Sequence, residues 1–315
     1  MSHFTVMVSI SPEFFDGLIV DVESVIVEML EPYCEQTEDS AYLEFNSMDE
    51  GEFNESKNLF DVGLVNKDNF GAQFCSQHSG KKVCEVFDDF ESFILDYYGY
   101  SKDEETGLYG YTRNPNAKWD WWVIGGRWRG MLSLLPGTEG MLSEAQQRHG
   151  IVKVRAGCLS VSQAGGVDVA LFKDIDFDSF KADSVLRAVE DYDKACKLQA
   201  ITHGEVNEEE GDSFLRFDVG QRLAKDGVAD WEGEKFVIME GLTKAKFIQD
   251  FSFNYDFSTC AVLNEKGWHE SAEMGWWGTS GATSEDKTGF QRGYYDTFFK
   301  EAHPDTVIAI VDCHV

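Results

Sequence analysis

The residues best suited to chemistry are crowded into Arg113 to Gly130, which reads RNPNAKWDWWVIGGRWRG. Lys118, Trp119, Asp120, Trp121, Trp122, Gly125, Gly126, Arg127 and Trp128 form the candidate binding set there, with Arg129 just beyond. A guanidinium flanked by indoles can lie on an aromatic face or hold a planar anion through paired hydrogen bonds. The same composition also builds a core, with buried indoles covered by the aliphatic stems of the arginines. Either a binding surface or a core satisfies the sequence at this point.

The C-terminal Asp312-Cys313-His314 offers carboxylate, thiol and imidazole, the groups of a nucleophilic site. In a strand, neighbouring side chains point to opposite faces, so Cys313 does not meet His314. Asp312 and His314 share a face, where His3 can join them, and the expected outcome is a buried hydrogen-bonded pair. Cys75, His78 and Cys84 have the spacing of half a metal site. A structural zinc needs four ligands, and no second CxxC or HxxxH follows, so no metal is assigned. The chain has no GxxxxGK[ST], no GxGxxG opening a helix, no HExxH and no GxSxG, and no catalytic residue or cofactor is assigned.

The elements that must position these residues follow from pattern. Phe4, Val6, Val8 and Ile10 alternate as a half-buried strand, and Val22, Val25, Ile26, Met29 and Leu30 follow at helical spacing up to Pro32. Residues 35–61, with nine carboxylates to one lysine, read as a solvated loop. A helix is expected over 86–98. Asn114-Pro115-Asn116 then turns the chain into a strand over 119–124, broken by Gly125-Gly126. Beyond the break, strand geometry predicts Arg127 and Arg129 on one face and Trp128 on the other.

Pro136-Gly137 and Gly140 mark a candidate boundary at 136–150 between an N-terminal part, 1–135, and a C-terminal part, 151–315, the alternative being one continuous core. In the latter, strands are expected at 151–156, 167–172, 236–239 and 259–263. Helices are expected from an Asp183 cap, from a Thr243 cap, and around Tyr295, Phe298 and Phe299, with a polar connector at 203–213. A second aromatic cluster, Gly267-Trp268-His269-Glu270 and then Glu273 to Gly278, adds Trp276 and Trp277 to the binding set. Thr306 to Val311 is an unbroken apolar run, typical of a central strand covered on both faces. The fold expected is α+β: a mixed sheet containing both terminal strands, flanking helices, and a loop-rich inserted or appended second part.

Charge limits the partners. With 27 basic and 57 acidic residues in 315, the net charge is -30. Free nucleic acid is repelled by most of such a surface, because its binding rests on neutralising phosphates with Lys and Arg. Positively charged partners are favoured instead. No stretch is apolar enough to span a membrane, and the opening MSHFTVMVSI lacks the features of a secretory signal. Seven scattered cysteines suit a reducing compartment, so a cytoplasmic protein is expected.

Four stretches carry a resemblance: Met1 to Val8, Asn114 to Trp128, Ala272 to Gly278, and Val311 to Val315. They resemble a family of phage and prophage proteins that open on MSHFTVLV, carry NPNAKWDWYxIGGRW and GEMGWWG, and close on VDCHI. Met7, Trp122 and Val315 replace that pattern's Leu, Tyr and Ile. The chain further looks like the Gabija anti-defence proteins. That resemblance implies a homo-oligomer that binds a host defence nuclease complex in the infected cell and blocks DNA binding and cleavage. No residue role is carried over from them. Two alternatives accompany this reading: a nucleotide-binding module or enzyme gripping phosphate with Arg127 and Arg129, and a virion structural or assembly protein.

Overall fold

The alternating N-terminal segment and the apolar C-terminal run are partners. In a computed structural model describing residues 3–15, 21–148, 151–155, 159–160, 166–206, 215–272 and 281–315, β1 (His3–Ile10) and the last strand (Val307–His314) pair antiparallel along their full length. The register runs from His3 opposite His314 to Ile10 opposite Val307. β1 leads into α1 (Val22–Leu30), whose Val25, Ile26 and Leu30 are buried.

The chain then leaves to build a separate compact unit, Glu31–Lys118. Its elements are β2 (Glu44–Ser47), α2 (Glu50–Val62), α3 (Ala72–His78), α4 (Phe90–Tyr98), β3 (Ser101–Lys102) and β4 (Tyr109–Arg113). The strands pair in the order β2-β4-β3. Residues 35–43 are irregular apart from a short 3-10 turn, as the loop reading expects, but 44–61 are not a loop. Asp49 caps α2 by accepting the Glu52 amide, and Glu50 and Glu52 lie in its first turn, where the helix dipole favours carboxylates. The density of acids concealed an apolar face: Phe53, Leu59 and Phe60 pack against the core of Val65, Phe70, Cys75, Val83, Phe93 and Ile94. α4 is capped by Asp89 and stopped by Gly99 in a left-handed conformation (φ 72).

Returning, the chain adds β5 (Trp121–Ile124), β6 (Gly140–Met141), β7 (Glu144–Arg148), β8 (Ile151–Arg155), β9 (Leu159–Ser160), β10 (Val169–Leu171) and α5 (Phe177–Thr202). A π-helical turn (Arg216–Gly220) runs into α6 (Gln221–Lys225). The hairpin β11 (Ala229–Glu232) and β12 (Lys235–Ile238) follows, then α7 (Lys244–Phe251), β13 (Ala261–Asn264), β14 (Gly267–Glu270), α8 (Ser284–Phe298) and β15 (Val307–His314). These belong to the other unit, Met1–Leu30 with Trp119–Val315. The second unit is therefore an insertion at 31–118, while the 136–150 stretch lies inside the first unit, where β6 already joins the main sheet.

The main sheet is mixed and holds both terminal strands, ordered β14-β13-β1-β15-β10-β6-β9, with β5 also paired to β15. The α+β class and the shared sheet of the two ends are as expected. One sheet face carries Met7, Ala170, Val262, Ile308 and Ile310, which pack beneath Tyr294 and Phe299. The opposite face carries Phe4, Val6 and Val8, all buried, and α1 packs on that side against β13. α5 begins earlier than its Asp183 signal: Asp176 accepts the Ser179 amide at 2.9 Å. Phe177 and Phe180 reach the main core from that extra length. A smaller core forms where the C-terminal half of α5, α6, the hairpin and α7 bring together Ala195, Leu198, Val219, Leu223, Phe236 and Phe247. Thr243 caps α7 as its sequence suggests. No helix among the described residues is long and apolar enough to cross a membrane.

Candidate functional site

The face that is apolar along most of β15 turns polar at its end. Register places Trp121 opposite His314, His314 opposite His3, and Val123 opposite Asp312. Alternation puts His3, Asp312, His314 and Trp121 on one face. The Asp312–His314 pair expected from sequence is replaced by two separate ones. His3 Nδ1 donates to Asp312 Oδ1 at 2.8 Å, and His314 Nδ1 donates to Asp120 Oδ1 at 2.6 Å. The Trp121 indole stacks on His314 (centroids 5.4 Å apart, planes at 17°), and His3 meets His314 edge-on at 5.0 Å. Cys313 points to the opposite face and is buried. Burial, helped by the Asp312 charge, pushes its thiol well above the usual range, so it is held as the neutral thiol.

Over this polar end lies the Gly-Gly-Arg-Trp-Arg-Gly segment. It does not continue as a strand. Gly125 (φ 75) and Gly126 (φ 52) take left-handed conformations, and Gly126–Trp128 forms a 3-10 turn. The predicted alternation of Arg127, Trp128 and Arg129 is lost because two successive left-handed residues roll the chain out of the sheet. Their lack of Cβ is also a packing requirement. A Cβ on Gly125 would lie 2.6 Å from the Asp168 carboxyl carbon, and one on Gly126 would lie 2.4 Å from Asp312 Cβ.

Those two aspartates are what the segment rests on. Asp312 Oδ2 accepts the Arg127 amide at 2.9 Å. Asp168 Oδ1 accepts the Gly130 amide at 2.5 Å, while its Oδ2 accepts the Ser143 amide at 2.8 Å and the Ser143 hydroxyl. Both carboxylates are buried, with Asp168 0% and Asp312 2% exposed. Buried charge is costly unless hydrogen bonds satisfy it, and here main-chain N–H groups do so. The loop is clamped at both ends from below. Asp168 and Ser143 carry no motif; the available signal for Asp168 was a lone carboxylate inside the apolar run Val167 to Phe172.

The candidate residues divide into scaffold and surface. Trp119 is buried and its indole donates to the Leu30 carbonyl at 3.2 Å. Trp121 and Trp122 are half-buried on opposite faces of β5, and half-buried Trp128 packs against the main core. Lys118 belongs to the other unit, where its amide donates to Tyr33 O at 2.8 Å. Arg127 and Arg129 are exposed. Arg129 Nε donates to Ser143 O at 2.6 Å, which fixes that guanidinium. Trp276 and Trp277 lie outside the described residues; of the second cluster, Trp268 packs edge-on against Phe4 with centroids 6.2 Å apart. Among the described residues no group of three or more His, Cys, Asp or Glu is placed to hold a metal ion.

The arrangement holds the loop backbone at Arg127 and Gly130 and the Arg129 guanidinium in place, with the Arg127 side chain exposed beside them. No family model, no curated protein and no solved structure matches the chain.

Proposed function

We propose that the chain is a phage-encoded inhibitor of a host anti-phage defence nuclease complex of the Gabija kind, acting in the host cytoplasm as an oligomer that binds the complex and occludes its DNA. The observation that carries the binding part of this reading is the clamped loop of Arg127, Trp128 and Arg129 over Asp168 and Asp312. Arginine and tryptophan are the residue types that most often anchor protein interfaces, and a pre-ordered anchor loses little entropy on docking. The groups that could have done chemistry beneath the loop are committed elsewhere. Both carboxylates are occupied by main-chain donors, and the Cys313 thiol is buried on the other face.

Charge supports the choice of partner. The Glu31–Lys118 unit alone has 19 acidic against 7 basic residues, net −12. Acidic surfaces of this density complement a cationic DNA-handling surface and speed encounter with it. The resemblance of the Asn114–Trp128 and terminal stretches supplies the phage setting.

The test is to mix purified chain with a purified Gabija complex at physiological salt and follow both co-elution and DNA cleavage. Stable co-elution with cleavage suppressed, and loss of both in Arg127→Ala at unchanged melting temperature, is the expected result. A complex that elutes separately and cuts at its normal rate under saturating chain overturns the proposal.

A further inference from the structure

The clamp at Arg127 has a support of its own. The Asp312 carboxylate accepts two hydrogen bonds among the described residues: His3 Nδ1 on Oδ1 at 2.8 Å and the Arg127 amide on Oδ2 at 2.9 Å. At 2% exposure it has little water to fall back on. A buried carboxylate that loses a donor is costly where it stands, so it turns toward solvent or takes up a proton. Either change disturbs the oxygen that holds Arg127.

The aim of the His3 donor is fixed from the other side. Its ring meets Trp121 edge-on at 5.3 Å (81° between planes) and His314 edge-on at 5.0 Å (75°). His314 is in turn held by Asp120 Oδ1 at 2.6 Å and by the stacked Trp121 indole. Rings from β1, β15 and β5 thus pack on one another, and His3 Nδ1 cannot swing off Asp312 without opening that contact. The His3 side chain is 12% exposed, whereas Arg127 is exposed. A partner docking on the loop meets the second residue and not the first.

The far end of the loop is held separately. The Gly130 amide hangs on Asp168, whose other donors both come from Ser143, so the two clamps share no donor. Loss of His3 should therefore free the Arg127 end and leave the Gly130 end in place. We infer that His3 is a positioning residue of the clamped loop: it aims Asp312, Asp312 fixes the Arg127 backbone, and the affinity for the docking partner is set in part by a side chain that does not meet that partner. This rests on the reading of the loop as a docking anchor. A loop already ordered loses little entropy on binding, and a loosened one must be ordered at that moment.

The test uses the full chain in two arms. Hydrogen exchange read at single amides by NMR follows the free chain, and titration follows its binding to the purified Gabija complex. In His3→Ala the Arg127 amide is expected to exchange about 10-fold faster with Gly130 unchanged, and binding to weaken about 10-fold. His3→Asn, whose side-chain NH₂ can take the place of the Nδ1 donor, should restore both; His3→Gln, whose NH₂ lies one bond further out, should not. Unchanged Arg127 exchange in His3→Ala, equal loosening of Arg127 and Gly130, or His3→Asn no better than His3→Ala overturns the inference, because each leaves His3 a packing role at most. Wild-type binding unaffected by Arg127→Ala would instead remove the docking reading, with the exchange arm still deciding whether His3 positions the loop.

Discussion

Asp312 and His3 sit two residues apart in register on neighbouring antiparallel strands, and the imidazole Nδ1 donates to the carboxylate across that diagonal at 2.8 Å. The other oxygen of the same carboxylate holds the Arg127 amide. One buried side chain therefore ties the first strand, the last strand and the exposed loop together. Asp168 repeats the device just ahead of the adjoining strand β10, and it carries more donors, three against two. Asp168→Asn turns an amide NH₂ toward N–H or O–H groups with no acceptor left for them. It should cost about 3 kcal/mol in urea unfolding, against about 1 kcal/mol for Ser143→Ala, which removes a single donor. Equal effects of the two would mean that Asp168 is not the anchor.

The two-glycine break separates conformation from contact. Gly126→Ala adds left-handed strain at φ 52 to a collision 2.4 Å from Asp312 Cβ, so a loss of at least about 3 kcal/mol is expected. Gly137 has φ 87 with nothing within 4 Å, and its Ala variant should lose only about 1 kcal/mol. Comparing the two melting curves checks whether packing on the aspartate dominates.

Much of this scaffold could be read from residues, because its signals are local. Period-two alternation at Phe4 to Ile10 and the apolar run before Asp312 announce two strands, and both lie in the one mixed sheet. Gly125-Gly126 announces a break. What the residues did not announce was long-range choice. The residues pointed to Asp312 with His314, and only the register, with Asp120 arriving just ahead of β5, gives Asp312 to His3 and His314 to Asp120. The helix Glu50–Val62 was hidden for a different reason. Its carboxylates dominate the composition, while its apolar face rests on few residues, Phe53, Leu59 and Phe60, whose value depends on a core formed by later segments.

The neutral, enclosed state of Cys313 yields a chemical expectation. In the folded chain Cys84, Cys196 and Cys260 are exposed, whereas Cys313 is buried with its thiol pushed well above the ordinary range. A thiol reagent at neutral pH should modify Cys313 only under denaturing conditions, because the thiolate is the reacting form and neither it nor access is available. Mass mapping of the labelled peptides before and after adding urea reads this directly. Native labelling of Cys313 faster than that of Cys84 would restore the nucleophile reading of the terminal triplet.

Acid should loosen the first turn of α8. The Thr283 hydroxyl and amide both donate to Asp286, at 2.7 and 2.8 Å, and this reciprocal cap holds the Asp286 carboxyl below its ordinary value. A carboxyl with a depressed pKa in the folded state contributes stability that is present above its unfolded value, near pH 4, and is lost as pH falls through the lower folded value. The wild-type chain should therefore melt above Asp286→Ala at pH 6, and the gap should shrink as pH is lowered below about 4. Because α8 brings Tyr294 onto the main core and Tyr294 OH lies 2.6 Å from Thr259 Oγ1, that shrinkage should be visible in tyrosine and tryptophan emission as well as in far-ultraviolet dichroism. A gap that stays constant from pH 6 to about pH 3 would assign the effect of Asp286 to helix propensity and not to the charged cap.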